Sequence, residues 1–262
     1  MRLWWEVALR GWRQRSVYRT AVYAGLFTNA TFGALRAYVL LAVLAQRDMV
    51  GGLDTRAALG FVFFTQALLA PVMLFGWTDL AERVRSGDVA TDLYRPVDLQ
   101  LYSLAAFAGR SAFELVFRSV PIVAVGILAF GVALPPPELV PAVVLTAALA
   151  ILVGFALAFL LNLLAFWLLD SAGVASIAVA LGFVLSGLAV PLTFLPSPWA
   201  GVAQALPWAS MLQRPVEVAL GLHSGWGLVG VLAAQAGWAA VLLLAGKQLL
   251  ERAAARVVVH GG

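Results

Sequence analysis

Residues 141–168 read PAVVLTAALAILVGFALAFLLNLLAFWL and contain no aspartate, glutamate, lysine or arginine. A helix needs about 20 apolar residues in succession to cross the hydrocarbon core of a bilayer, and this stretch is long enough. Its apolar residues are continuous, whereas a strand of a lipid-facing barrel alternates apolar and polar residues. The stretch therefore predicts a transmembrane helix.

The composition of the whole chain agrees with a membrane protein. Hydrophobic residues make up 63% and charged residues 11% of the 262 positions, against roughly 45–50% and about 25% in soluble domains. A soluble enzyme, a disordered chain and a secreted disulfide scaffold are excluded. Cysteine is absent and only two histidines occur, which excludes cysteine-ligated and histidine-rich metal sites, and we expect no metal on this chain.

Six segments are apolar enough to span a bilayer. They are residues 20–45, 57–77, 104–134, 141–168, 174–195 and 226–246. We therefore predict an all-α integral membrane protein with six transmembrane helices, which form one domain over residues 1–262.

Basic residues predict the orientation of these helices. Of the 17 lysines and arginines, thirteen flank the spans on one side, three lie on the other side, and Arg36 falls inside the first span. Because basic residues are enriched in cytoplasmic loops, we expect a multi-pass protein with both termini in the cytoplasm. The net charge of +4 is interpreted in the same way, and not as a sign of nucleic-acid binding.

Residues 1–19 predict an amphipathic helix that lies in the cytoplasmic interface with its tryptophans toward lipid. Its apolar face consists of Leu3, Trp4, Val7, Ala8, Gly11 and Trp12. The charges are spread along the segment, which is not typical of a cleavable signal peptide. The helix either anchors the chain or acts as a lever that also contacts a cytoplasmic partner.

Motifs for chemistry are missing. The sequence has no G-x-x-x-x-G-K-[ST] loop, H-E-x-x-H pair or G-x-S-x-G elbow, so we expect no catalytic residue. Arg36 either extends outward to the membrane surface, as a long charged side chain can, or faces a cavity where it meets a substrate or a partner helix. Asn162 either joins helices or contacts a ligand.

Two loops carry local signals. In the cytoplasmic segment 82–98, Ser86-Gly87-Asp88 predicts a turn with Asp88 as N-cap, and residues 89–94 predict a short helix that stops before Pro96. Next to it, Arg110, Glu114 and Arg118 are spaced four apart, which predicts a ladder of ion pairs or a contact for the interfacial helix.

The outer loop 196–222 is apolar, rich in proline and carries two tryptophans. We expect a re-entrant hairpin of two short helices that dips into the outer leaflet and caps a central pathway. The residues assigned to this outer gate are Pro196, Trp199, Pro207, Trp208 and Pro215.

The chain resembles permease subunits of bacterial ABC-2-type exporters. The resemblance rests on the order of these elements, on the segment R-x-G-D-x-x-x-x-L-x-R-P-V-D at residues 85–98, and on the string Pro196-Ser-Pro-Trp199, Leu206-Pro-Trp208, Pro215 and Gly221. It implies a bacterial inner-membrane exporter of a hydrophobic or amphiphilic molecule, such as a drug, natural product or lipid-like compound. The E-A-A-x-x-x-G loop of importer permeases is absent.

The resemblance also implies partners and sites. Two copies of a separate ATPase would bind ATP and Mg²⁺, a second or homologous permease would complete a dimer, and lipid would surround it. The short helix would be the coupling helix, and the residues expected to contact the ATPase are Arg83, Arg85, Gly87, Asp88, Asp92, Leu93, Arg95 and Pro96.

We expect a substrate pathway between the first, second and fifth spans. The residues assigned to it are Phe27, Asn29, Phe32, Arg36 and Asn162. Two alternatives stay open at this point: a secondary carrier or channel that needs no ATPase, and a membrane scaffold protein that transports nothing.

Overall fold

A computed structural model describes residues 2–72, 77–168 and 172–260. Within these ranges the chain is built from α-helices joined by short turns. In chain order they are α1 (Arg2–Val17), α2 (Arg19–Leu44), α3 (Thr55–Leu69), α4 (Asp79–Ser86), α5 (Val89–Leu93), α6 (Leu99–Glu114), α7 (Val120–Phe130), α8 (Val140–Leu163), α9 (Ala172–Leu185), α10 (Trp199–Ala205), α11 (Gln213–Ala219) and α12 (Gly225–His260). A π-helical turn, Leu115–Ser119, joins α6 to α7.

Among the described residues, four stretches of helix are long and apolar enough to cross a membrane. They are Arg19–Leu44, Leu99–Phe130, Pro137–Phe166 and Gly225–Ala255. They correspond to the predicted first, third, fourth and sixth spans. The third begins earlier than predicted because Asp98 caps it, accepting a hydrogen bond from the backbone nitrogen of Leu101 at 2.9 Å.

The predicted second and fifth spans are shorter helices in the structure. Helix α3 has 15 residues and α9 has 14, which gives lengths of about 21–23 Å against a hydrocarbon core of about 30 Å. The predicted boundary of 174–195 was wrong, because α9 stops at Leu185 and Gly187 follows with φ 84°. Residues 73–76 of the predicted second span lie outside the described residues.

Helix α1 packs along α6, and this corrects the predicted lipid-facing position of Trp12, while Trp5 is 64% exposed. Val7 and Gly11 are buried, and the Trp12 ring meets the rings of Phe113 and Phe117 edge-on, with centroids 5.3 and 5.9 Å apart. Such aromatic pairs contribute about 0.5–1.5 kcal/mol beyond the burial of their area. The apolar face of α1 therefore lies against protein along much of its length.

The close approach of α1 and α6 depends on two glycines. A Cβ atom at Gly11 would collide with the carbonyl oxygen of Ala106, and a Cβ atom at Gly109 would collide with that of Ala8. Backbone atoms cannot move away as a flexible side chain can. The two helices can therefore pack at this distance only while both positions lack a side chain.

The turn before α5 differs from its prediction in one detail. Gly87 ends α4 in the left-handed conformation, with φ 82°, as a C-terminal glycine commonly does. Asp88 precedes α5, but its side chain accepts no backbone hydrogen bond there. Its carboxylate accepts instead from the hydroxyl of Ser86 at 2.8 Å. Asp88 therefore occupies the predicted N-cap position, but its side chain does not cap the helix.

Two ends of the molecule can be distinguished by their contacts. At the end that holds α1, α4 and α5, Asn162 near the end of α8 fastens α4. Its Oδ1 accepts from the backbone nitrogen of Ala81 at 2.9 Å, and its Nδ2 donates to the carbonyl oxygens of Trp77 and Ala158 at 2.6 and 2.7 Å. We call this the α1 end, and the opposite end, with residues 186–224, the hairpin end.

The glycine contacts predict that alanine destabilises the protein at positions 11 and 109 but not at position 230. Gly11→Ala and Gly109→Ala should each lower the free energy of unfolding by about 1–3 kcal/mol, the usual cost of forcing atoms into a packed site. Gly230→Ala is the matched control, since its Cβ would meet open space within a helix, where alanine is preferred over glycine. Thermal unfolding in detergent measures all three. Equal midpoints for the Gly109 and Gly230 variants would contradict the close packing.

Candidate functional site

A cavity with a volume of about 830 Å³ lies beside α2. Residues of α2, α3 and α9 line it together with residues of α1, α4 and α6. Its lining residues are Gln14, Arg15, Tyr18, Gly25, Thr28, Asn29, Phe32, Arg36, Gln66, Leu69, Ala70, Trp77, Asp79, Arg110, Glu114, Arg118, Phe183 and Leu188. The charged members lie toward the α1 end, with the exception of Arg36.

A buried carboxylate lies at this charged mouth of the cavity. Glu114 is 1% exposed and forms ion pairs with two arginines, Arg15 of α1 and Arg118, the latter at 3.3 Å. The Arg118 guanidinium also lies against the backbone of α2 at Gly25, where a Cβ atom would come within 2.7 Å of Nη2. Because buried ionic groups are stable only when they are paired, Glu114 joins α1 and α6 and holds Arg118 beside α2.

A second ion pair closes the other side of the mouth. Arg110 of α6 pairs with Asp79 at the start of α4, and its Nη2 donates to Oε1 of Gln14 at 2.7 Å. Helices α1, α4 and α6 are thus tied together around the mouth. The predicted ladder is present in part, since Glu114 does pair with Arg118 while Arg110 turns to α4.

Arg36 lies at the deep end of the cavity, about five helical turns along α2 from Tyr18. Its guanidinium carbon is 5.5 Å from the ring centroid of Phe183 on α9, a distance at which a cation is attracted to an aromatic face. Among the described residues no carboxylate lies within ion-pair distance of Arg36, nor does any acceptor receive a hydrogen bond from it. An arginine at such a depth costs about 2.5–3.5 kcal/mol on insertion scales.

The structure brings together some of the residues assigned to the pathway. Asn29, Phe32 and Arg36 line the cavity, and Asn29 Nδ2 donates to the carbonyl oxygen of Gln66 at 3.4 Å. Phe27 does not line it, being 75% exposed on the outer surface of α2. Asn162 does not line it either, because its amide is used to fasten α4.

The segment expected to contact an ATPase has one buried and one exposed side. Asp92 is 9% exposed, and its two oxygens pair with Arg83 and, at 3.4 Å, with Arg95, so Asp92 fixes α5 to α4. Val89 is buried as well. Tyr94, which sequence reasoning did not select, is 88% exposed and extends beyond α5.

The other expected contact residues divide in the same way. Arg85, Gly87, Asp88 and Pro96 are exposed, whereas Leu93 is half-buried among the side chains of α4 and α8. A small cavity of about 200 Å³ lies between this segment and the beginning of α1. The exposed side of α5 and the beginning of α1 therefore form one continuous surface at the α1 end.

The proline-rich segment at the hairpin end is largely packed into the protein. Pro207 and Pro215 are buried, and Trp208 packs on the cluster around Leu212. Trp199 is 67% exposed. In the described part of the chain, only Leu188 near this segment borders the large cavity, so the residues assigned to the outer gate do not line it.

A buried acidic group fastens the same segment. Glu217 of α11 accepts from Nε2 of Gln213 at 2.8 Å and contacts Nε2 of His223 at 2.9 Å and Nη1 of Arg214 at 3.4 Å. Oε1 of Gln213 in turn accepts from the backbone nitrogen of Leu192 at 3.1 Å. This network joins α11 to the turn that follows α9.

Sequence reasoning found half of the residues at the cavity mouth. It singled out Arg110, Glu114 and Arg118 and offered a contact with the N-terminal helix, which the pairing of Glu114 with Arg15 confirms. The predicted position of α1 leaves Gln14 and Arg15 at the membrane surface, and the sequence assigns no role to Asp79. The available signal was the carboxylate of Glu114 within the apolar stretch 104–134, since a charge there needs a partner from a neighbouring element.

Comparison with known sequence families identifies the chain. A family described as ABC-2 family transporter protein matches residues 34–261, which is most of the sequence. A search of curated proteins found no match. The chain therefore belongs to the ABC-2 transporter family, whose members are membrane components of ABC transporters, and it is a membrane protein.

The buried position of Glu114 predicts a large contribution to stability. Glu114→Ala should lower the free energy of unfolding by about 3 kcal/mol, because it leaves two arginines without their buried partner. Glu138→Ala is the control, since Glu138 is exposed and the expected change there is within about 0.5 kcal/mol. Chemical or thermal unfolding in detergent measures both. A Glu114 variant as stable as the Glu138 variant would show that the ion pairs contribute nothing.

Proposed function

We propose that this member of the ABC-2 transporter family is the permease subunit of an ATP-driven exporter. It moves a hydrophobic or amphiphilic small molecule out of the cytoplasm or the inner leaflet, and a separate ATPase subunit supplies the energy. The observation that carries the proposal is the large cavity whose mouth is built by ion pairs among α1, α4 and α6. Binding and release of a molecule there require these helices to move.

The membrane is that of a bacterial cell, and both termini lie in the cytoplasm. The excess of arginine at the α1 end supports this orientation. In this arrangement the mouth of the cavity faces the cytoplasm and the hairpin end faces outward. Helices α3 and α9 then complete six spans, and as short helices they need help from flanking turns or from local thinning of the bilayer.

Helix α5 is the coupling helix in this proposal. Its exposed side contacts the ATPase, and three ion pairs lead from it to the cavity. Asp92 connects α5 to Arg83 of α4, Asp79 of α4 connects to Arg110 of α6, and Glu114 of α6 connects to α1. A push on α5 therefore displaces the helices that form the mouth, since each ion pair ties one element to the next.

The complete transporter contains further chains. A second copy of this permease, or a homologous one, forms a dimer with it, and two ATPase copies bind ATP and Mg²⁺. The buried network around Glu217 holds the hairpin end as one unit, which suits an outer gate that opens and closes as a body. Lipid covers the apolar outer surface, where side chains such as Tyr23 and Ile177 are exposed.

Substitutions on the two sides of α5 separate docking from stability. Tyr94→Ala and Arg85→Glu should lower ATPase copurification and permease-stimulated hydrolysis about tenfold, as loss of a central interface side chain does, with an unchanged melting temperature. Asp92→Asn should lower the melting temperature too, because Asp92 is buried and paired. Arg47→Glu, at the hairpin end, is the control for a charge reversal elsewhere. Normal hydrolysis in the Tyr94 and Arg85 variants would contradict docking at α5.

A further inference from the structure

We propose that the cavity selects amphiphiles with an anionic head, a carboxylate or a phosphate, and that Arg36 is the group that binds this head. The inference rests on the proposed function, because it names the class of molecule that the transporter carries. Three features carry it: the charges of the cavity, the surroundings of Arg36 and the shape of the lining.

The charges of the cavity are unequal at its two ends. Four arginines and two carboxylates line it, which leaves an excess of positive charge. At the mouth, Arg15 and Arg118 are paired with Glu114 and Arg110 is paired with Asp79. One of the two excess charges stays at the mouth, because Arg15 and Arg118 share the single carboxylate of Glu114. The other belongs to Arg36, where the described residues provide no counter-charge.

The surroundings of Arg36 leave its donors available. The ring of Phe183 attracts the positive charge, but an aromatic face takes up none of the strong, directional hydrogen bonds that the five N–H groups of a guanidinium can donate. A planar guanidinium matches a carboxylate or a phosphate with two parallel hydrogen bonds. A cationic head at the same place would be repelled, and a neutral head would leave the charge unpaired.

The rest of the lining suits an apolar body. Phe32, Leu69 and Leu188 offer apolar surface near Arg36, and the polar groups between Arg36 and the mouth are few, with Asn29 and Gln66 as the principal ones. Phe32 is exposed on the side of α2 that faces away from the core. A hydrocarbon chain can therefore lie along α2, partly in the cavity and partly toward lipid, while its head reaches Arg36.

A purely structural arginine would be placed differently. An arginine that extends to the membrane surface directs its guanidinium to water or to lipid head groups, and one that fastens helices is paired, as Arg110 and Arg118 are. Within the described ranges Arg36 fastens no helix through an ion pair, since its guanidinium lines the cavity and lies 5.5 Å from the ring centroid of Phe183.

A binding measurement on the purified full-length chain tests this inference. The chain is placed in nanodiscs of phosphatidylcholine, and the fluorescence of 11-(dansylamino)undecanoate is compared with that of its neutral methyl ester. Wild type should bind the carboxylate about tenfold more tightly than the ester, the size expected for charge-assisted hydrogen bonds. Arg36→Gln should abolish the difference and leave the affinity for the ester unchanged, Arg36→Lys should retain part of it, and Arg47→Gln should retain all of it.

A competition on the wild-type chain avoids any risk of misfolded variants. Decyl phosphate should displace the bound carboxylate, and decyltrimethylammonium should not. Displacement by phosphatidylglycerol as well would identify the carried head as that of a lipid, and its failure would identify a free amphiphile. Equal displacement by the phosphate and the ammonium compound, or a carboxylate preference that survives Arg36→Gln, would overturn the inference.

The test separates this inference from the proposed function. Binding is measured without ATP or an ATPase, so a preference for anions stands even if no ATPase partner exists. Conversely, ATP-driven transport that is indifferent to the charge of the head would overturn the inference about Arg36 and leave the proposed permease in place.

Discussion

Polar side chains inside a membrane protein must find partners within the protein, because lipid offers none. In this chain the requirement decides where the helices meet. Glu114 is the clearest case, since its buried carboxylate brings Arg15 of α1 and Arg118 to one point. Gln235 acts similarly between helices, with Nε2 donating to the carbonyl oxygens of Thr146 and Ser210 at 3.2 and 2.9 Å.

Arg36 departs from this pattern, because no described residue forms an ion pair or a hydrogen bond with its guanidinium. A charge without a partner destabilises the empty protein, and a ligand of opposite charge relieves that cost when it binds. The paired charges at the mouth have the opposite role, since they stabilise the resting arrangement of α1, α4 and α6 and must be displaced together. Arg36 therefore serves recognition, and the ion pairs at the mouth connect α5 to the cavity.

The sequence alone predicts the helical class, the four long spans and the short helix before Pro96. Continuous apolar stretches and a proline are local signals, and they determine helices and helix ends without depending on contacts between distant residues. The lengths of α3 and α9 are harder to predict from the sequence. Gly187 follows the end of α9 within an apolar stretch that a hydropathy analysis treats as one segment. The charged mouth could be derived only in part, from the spacing of Arg110, Glu114 and Arg118, and its full geometry could not. It requires knowing that α1 packs on α6, which depends on glycine contacts such as that between Gly109 and Ala8.

The central claim is that nucleotide-driven movement at α5 changes access to the cavity, and cysteine labelling tests it directly. The natural chain has no cysteine, so Thr28→Cys in the cavity lining gives a single reactive site, with Ala255→Cys on the surface of α12 as the control. A membrane-impermeant maleimide is applied from the cytoplasmic side to the complex with its ATPase, before and after trapping with ATP and vanadate. We predict that trapping slows the labelling at position 28 about tenfold, because the rate follows the fraction of molecules with an open mouth, and leaves the rate at position 255 unchanged. An unchanged rate at position 28 would contradict the claim.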